Sequence, residues 1–432
     1  MRTGIRSLRA RQILDSRGRP TVEADCELEG GAGGRASVPS GASTGAAEAH
    51  ELRDGDPVQY AGLGVTKAVA NVNGEIAQAL RGRDALLQRD IDGRLLALDG
   101  TPQLARLGAN AVLAVSLAVC RAAAAATGQQ LYRHFASLAG ARPSLPLPMT
   151  NILSGGLHAG RGMDVQDFLA VPLRAASFAE ALHLLSRVRN AATEVARRRG
   201  LATLLADEGG LSPGLESGAA ALAMMVEAIE RAGLRPGEDI GIAIDVAAST
   251  LGDGRGRYRF EREGVQRSSA EVIELLAGWV RDFPVVSIED GLGEEDWEGW
   301  SQLTQRLGGQ VQLVGDDLFA TNPQRVQHGV AGDAANGVLV KANQNGTVSG
   351  TLDVIALARG AGYATIVSAR SGETEDAFMS DLAVGSAAGQ IKIGSLRTSS
   401  TVAKYNQLLR IEEHSGAAYA GAQALRSVNG RH

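Results

Sequence analysis

The chain has 432 residues, 44% of them hydrophobic, and a formal net charge of -5 from 48 acidic and 43 basic side chains. That length is more than one compact core organises, so two domains are expected, one of them large enough to be a barrel. The mixed, slightly acidic charge excludes a general nucleic-acid binder, because phosphate backbones reward clustered Lys and Arg.

From the N-terminus, Arg2, Arg6, Arg9 and Arg11 have no long apolar stretch behind them, which reads as a mature cytoplasmic protein without a signal peptide. Strand-like segments at 5–14 and 21–29 are followed by a glycine-rich turn at 30–34. Gly31, Gly33 and Ala36 stand at the spacing of a dinucleotide fingerprint, but Ser37-Val38-Pro39 follows where that motif must open a helix. The segment therefore reads as a hairpin turn. Helical patterns run through 65–81 and 109–127. The apolar run 107–120 is too short to span a bilayer, so no membrane partner is expected. Cys26 and Cys120 lack metal or redox spacing and read as small buried hydrophobes. Pro143, Pro146 and Pro148 mark a boundary between domains at 1–135 and 143–432.

Beyond it, strand patterns alternate with helical ones, which predicts parallel strands joined by helical crossovers. Apolar strands end at Asp245 (IGIAID), Glu289 (VVSIE), Asp316 (VQLVGD), Lys341 (GVLVK), Ala369-Arg370 (ATIVSAR) and Lys392 (QIK). In a β/α barrel these ends share the rim where active sites are built. One charged strand end is an ordinary loop solvator or helix cap. Three carboxylates and two lysines on one rim need a neutralising ion, and hard oxygen ligands without Cys or paired His suit Mg2+. Such an ion keeps coordination positions for a substrate carboxylate or phosphate. Like charge from Lys392 and a metal would favour the neutral amine of Lys341 and make it a usable base. The alternative is that both lysines simply pair with the acids.

Arg370-Ser371-Gly372, ahead of a helix expected from Thr374, reads as a phosphate site at a helix N-terminus. Asp207-Glu208-Gly209-Gly210 is either a mobile acid-base loop or an ordinary polar turn, and 39–45 (PSGASTG) is a small-residue loop able to close over phosphate.

Together these segments resemble enolase across nearly the whole chain: DSRGRPTVEA at Asp15, PSGASTG at Pro39, GANAVLAVSLA at Gly108, SGGLHAG at Ser154, DEGG at Asp207, SIEDGL at Ser287, VGDDL at Val314, RSGETED at Arg370 and AKYNQLLRIEE at Ala403. The resemblance implies an α/β chain, with a small N-terminal α+β domain capping an enolase-type modified (β/α)8 barrel, usually as a homodimer. It implies two Mg2+ per site, the first on Asp245, Glu289 and Asp316 and the second held with help from Ser43. Lys341 matches the base that takes the C2 proton, Lys392 the partner of the substrate carboxylate, and Glu208 the acid assisting departure of the C3 hydroxyl. Arg370 and Ser371 match phosphate binders, while His158 and Gln166 belong to the site lining.

Four positions depart from the family pattern. Ala369 replaces His, Asp167 replaces Glu, Ala342 replaces Phe, and Asn345 replaces an apolar residue. Either these are neutral, or three shortened side chains make a roomier pocket with reduced dehydration equipment around Asp167 and Ala369. The second reading fits a paralogue of the carboxyphosphonoenolpyruvate synthase type, working on a phosphoglycerate-like carboxylate together with an activated phosphonate. An ordinary hydratase and a non-catalytic paralogue are the alternatives.

Overall fold

The computed structural model describes residues 2–41 and 45–425. Strand Ile5–Leu14 pairs antiparallel with Pro20–Leu28, which pairs antiparallel with Gly33–Ser37. Along the middle strand Val22, Ala24, Cys26 and Leu28 are buried, while Glu23, Asp25 and Glu27 alternate with them on the more open face. This period of two lays one apolar face on helix Ala109–Ala126. Gly31, at φ +87°, makes the turn between the second and third strands, as the hairpin reading requires. Gly34 does something else. A Cβ there would lie 2.3 Å from the Ala118 carbonyl oxygen and 2.4 Å from the Ala122 nitrogen, so only glycine lets the strand press against the helix backbone.

That helix is longer than the apolar run suggested, because it continues past Arg121 to Ala126. By length and composition alone it could cross a membrane, yet 83% of it is buried inside the protein, as the core helix of a soluble fold would be. Arg121 is accommodated by Asp376, whose Oδ2 accepts from Nη1 at 2.8 Å. The helical pattern at 65–81 is a helix from Thr66 to Leu80 interrupted by a π turn at Val72–Ile76. Asn73, in that turn, exchanges hydrogen bonds with the Ala10 backbone (2.7 and 3.1 Å) and so ties the helix to the first strand.

Eight strands close the barrel: Val285–Glu289, Gln312–Gly315, Gly337–Val340, Ala364–Ser368, Gly389–Lys392, Leu147–Ser154, Asp167–Pro172 and Ile240–Asp245, in that order around the ring. The six strands expected to be parallel, from Ile240–Asp245 round to Gly389–Lys392, are parallel to one another. Asp167–Pro172 is antiparallel to both neighbours, because it follows Leu147–Ser154 through a loop with only a short 3-10 turn instead of a crossover helix. The reversal puts the first residue of that strand, Asp167, on the rim where the other strands place their last.

Leu147, Met149, Leu169, Val171, Ala243, Val314, Leu339 and Ile366 fill the barrel interior. Gln312 and Gln390 exchange reciprocal side-chain hydrogen bonds at 3.1 and 2.8 Å. Chemistry is therefore confined to the rim.

Candidate active site

Parallel register sets Glu289 beside Asp245, and Gly315, the last residue of the next strand, leads directly to Asp316. Lys341 immediately follows strand Gly337–Val340, and Lys392 ends strand Gly389–Lys392. All line or adjoin a cleft of about 470 Å³, open mouth included, that His158, Gln166, Glu208, Ala369, Arg370 and Ser371 also border.

Within the cleft the lysines take the acids. Lys392 Nζ donates to Asp245 Oδ2 and to both oxygens of Glu289, each at 2.8 Å. Lys341 Nζ donates to Asp316 Oδ2. Burial opposes the charge on both amines, but Asp316 raises the pKa of Lys341, and Asp245 with Glu289 raises that of Lys392 much further. Of the two readings of the lysines, pairing with the acids is the one seen here, and attraction to Asp316 favours the Lys341 ammonium against burial.

The three carboxylates expected as ligands are split. Asp245 and Glu289 share Lys392, whereas one carboxylate oxygen from each of Asp316, Asp290 and Asp317 lies within 4.8 Å of the other two. Asp290 and Asp317 were not foreseen, although both stand beside expected ligands in the SIEDGL and VGDDL motifs. Asp290 receives the backbone N–H of Asp316 at 2.8 Å and of Asp317 at 2.9 Å, so it holds the rim loop in shape. It does so from a left-handed backbone conformation, φ +42°.

The charges do not balance. Burial, then Asp245 and Asp316, push Glu289 well above the ordinary carboxylate range, and burial with Asp317 and Asp316 does the same to Asp290. Asp317 is pushed up to about 7 by burial and Asp316. Burial also disfavours the Asp245 anion, but Lys392 and Gln166 hold it below the usual value. Five carboxylates beside two ammonium groups, three of them (Glu289, Asp290 and Asp317) held above the usual range by burial and acidic neighbours, make a site short of positive charge. Every donor is a hard oxygen, so a divalent cation of the magnesium type fits this set.

Across the cleft, His158 Nε2 lies 3.4 Å from Asp167 Oδ2. Burial opposes its protonation, but Asp167 outweighs this and the imidazole is pushed up to about 9. Asp167 Oδ1 accepts from Ser154 Oγ at 2.5 Å. Glu208 accepts from Asn151 Nδ2 at 3.1 Å, and its pKa is raised by burial and by Asp167, with His158 opposing. Gln166 Nε2 donates to Asp245 Oδ2 at 3.1 Å. Ala369 is buried in the wall, its N–H on the Lys392 carbonyl at 2.9 Å. Ala342 packs in the hydrophobic core and does not border the cleft, so of these two alanines only Ala369 bears on cleft space. Asn345 is held by the Thr321 carbonyl and the Thr347 hydroxyl.

The anion wall differs from expectation too. The helix after Arg370 starts at Phe378, not near Thr374, so Arg370 and Ser371 sit in an extended loop instead of at a helix N-terminus. That loop is shaped by the N-terminal domain. Ser40 and Gly372 exchange backbone hydrogen bonds at 2.8 and 3.0 Å. Arg17 reaches Ser40 Oγ at 2.8 Å and Ser371 Oγ at 3.2 Å. Glu48 forms a buried ion pair with Arg370 at 2.9 Å and accepts from Gln344, which also donates to Asp316 Oδ1 at 3.2 Å. Arg17, Glu48 and Gln344 were missed as site residues; the DSRGR motif was the available signal for the first. Ser43 lies outside the described residues.

A family model described as Enolase, C-terminal TIM barrel domain matches residues 142–428, and one described as Enolase, N-terminal domain matches residues 5–135.

Proposed function

The chain belongs to the enolase family, and on that premise we propose that it is a Mg2+-dependent enzyme abstracting the α-proton of a 2-phosphoglycerate-like carboxylate. The observation that carries this reading is the excess of carboxylate charge on the rim, with two lysines and the Arg370–Ser371 loop facing it. Asp245, Glu289 and Asp316 would hold the tighter magnesium, and the ion supplies positive charge against the negative charge that grows on a deprotonated carboxylate. Lys341 Nζ accepts the C2 proton, acting from its uncharged form, so its contact with Asp316 must yield once substrate fills the site. Lys392 orients the substrate carboxylate. Arg370 and Ser371 take the phosphate, pre-aligned by Glu48 and Arg17.

The finer reading is a diverged paralogue that couples this proton abstraction to reaction with an activated phosphonate. Ala369 supports it, because a small side chain borders the cleft where the family pattern has His. Glu208 and the His158–Asp167 pair favour the second reading, an ordinary dehydration of 2-phosphoglycerate. Incubation with Mg2+ and 2-phosphoglycerate, with and without CMP-phosphonoformate, separates them. A product that requires both substrates supports the paralogue; brisk phosphoenolpyruvate formation from 2-phosphoglycerate alone rejects it. Family membership also leads us to infer a homodimer working in the cytoplasm, the former checked by light scattering.

A further inference from the structure

A second, larger groove of about 840 Å³ draws part of its lining from the same stretches of chain that border the cleft. In one, Leu157 lines the groove and the adjacent His158 lines the cleft; in another, Thr250 and Leu251 line the groove shortly after Ala247 of the cleft. The groove's outer side is an antiparallel hairpin, Arg257–Phe260 with Val265–Ser268. Tyr258 and Phe260 are buried, so alternation turns Arg257 and Arg259 to the same open face, with Gln266 paired across from Arg259. Arg161 and Arg262 join them in the lining.

These arginines are available. Among the described residues, Arg161, Arg257 and Arg262 make no side-chain hydrogen bond or ion pair, and Arg259 only approaches Glu261 at 4.0 Å. Of the three acids in the lining, Glu261 is the one that Arg259 approaches, and the other two are engaged by backbone. Asp164 accepts the N–H of Arg262 at 3.1 Å, and Asp253 those of Arg255 at 2.8 Å and Arg257 at 3.3 Å. Three guanidinium forks without carboxylate partners and a fourth only loosely paired line one groove, and even beside Asp164, Asp253 and Glu261 this set matches a phosphoryl or phosphonyl group.

We propose that this groove is a second anion subsite, seating the phosphate or phosphonate of a second substrate while the first occupies the cleft. The inference rests on the two-substrate reading above. The test titrates CMP, and separately inorganic phosphate, into the full-length protein by calorimetry, with Mg2+ and saturating 2-phosphoglycerate present to fill the cleft. The wild type should bind at least one probe, R257S/R259S should weaken that binding at least about tenfold, and R257K/R259K should recover part of it. Tighter binding of CMP assigns a nucleotide carrier and equal affinity assigns the phosphoryl group alone; both support the subsite. Failure of the loaded wild type to bind either probe, or binding untouched by R257S/R259S in a protein with unchanged circular dichroism, overturns it. Exchange of the 2-phosphoglycerate α-proton into D2O, measured on the wild type without probes, tests the proposed function separately.

Discussion

Replacing Glu48 by Gln keeps the shape of the side chain and deletes one buried charge. Its carboxylate accepts from Arg370 Nη1 at 2.9 Å, Arg370 Nη2 at 3.3 Å, Gln344 Nε2 at 3.2 Å and the Gly45 N–H at 2.9 Å. The two side chains of the ion pair are only 7% and 4% exposed, so water cannot substitute for the lost anion. Removing one partner of a buried pair costs about 3–5 kcal/mol, mostly from the uncompensated charge left behind. Asp316 and Glu51 also favour the Arg370 cation, which places the expected cost at the low end, about 3 kcal/mol. Urea unfolding of E48Q and wild type measures it. A phosphate-bearing ligand brings Arg370 a replacement anion, so 2-phosphoglycerate with Mg2+ should raise the urea midpoint of E48Q by more than it raises that of the wild type. A variant with the wild-type midpoint, or an equal gain on ligand addition, would refute the role assigned to Glu48.

Lys341→Ala should slow exchange of the substrate α-proton by at least about 10² while the far-UV spectrum is preserved, as loss of a positioned base predicts; proton NMR in D2O reads this, and unchanged exchange would remove Lys341 as the base. His158 is pushed up from 6.5 to about 9 by Asp167, so its contribution to stability is fully present below pH 6.5 and is lost as pH rises through about 9. His158→Gln should therefore flatten the pH dependence of the unfolding free energy across that window, and a profile identical to wild type would contradict the pairing. Gly34→Ala should destabilise the N-terminal domain by at least about 1–3 kcal/mol, the usual cost of overpacking, since the new methyl meets backbone rather than a side chain able to move. An unchanged thermal midpoint would show that the strand can lift off the helix at little cost.

The barrel was legible because its strands are short apolar runs ending in charged residues, and in this architecture a strand end is also a position on the rim. Asp245, Glu289, Lys341 and Lys392 could be placed from that pattern alone. The antiparallel strand Asp167–Pro172 was not, because a buried strand shows the same apolar run in either direction. Direction is set by the connection, and the segment between Ser154 and Asp167 holds glycines and one short turn where a crossover helix would need a long periodic stretch. The helix start at Phe378 was misplaced for a related reason: Thr374 and Asp376 resemble caps locally, but Thr374 is bound to Ser37 and Asp376 to Arg121 of the other domain. Glu48 and Gln344 are distant in sequence and meet only when the domains pack.

The same long-range packing explains why charge counting located the acids while leaving two readings open for Lys341. Composition along the rim correctly shows an excess of acids, since strand ends converge whatever their side chains do. Which amine faces which acid depends on contacts of a few ångströms, and at that range Asp316 overrides the more distant repulsion from Arg370 and Lys392. The lysines therefore serve as internal counter-ions for a carboxylate set they only partly neutralise. Burial and their acidic neighbours keep Glu289, Asp290 and Asp317 above the ordinary carboxylate range. A divalent ion and an anionic substrate arriving together would satisfy both halves of that imbalance, the acids receiving the cation and the displaced amines, with Arg370, receiving the anion.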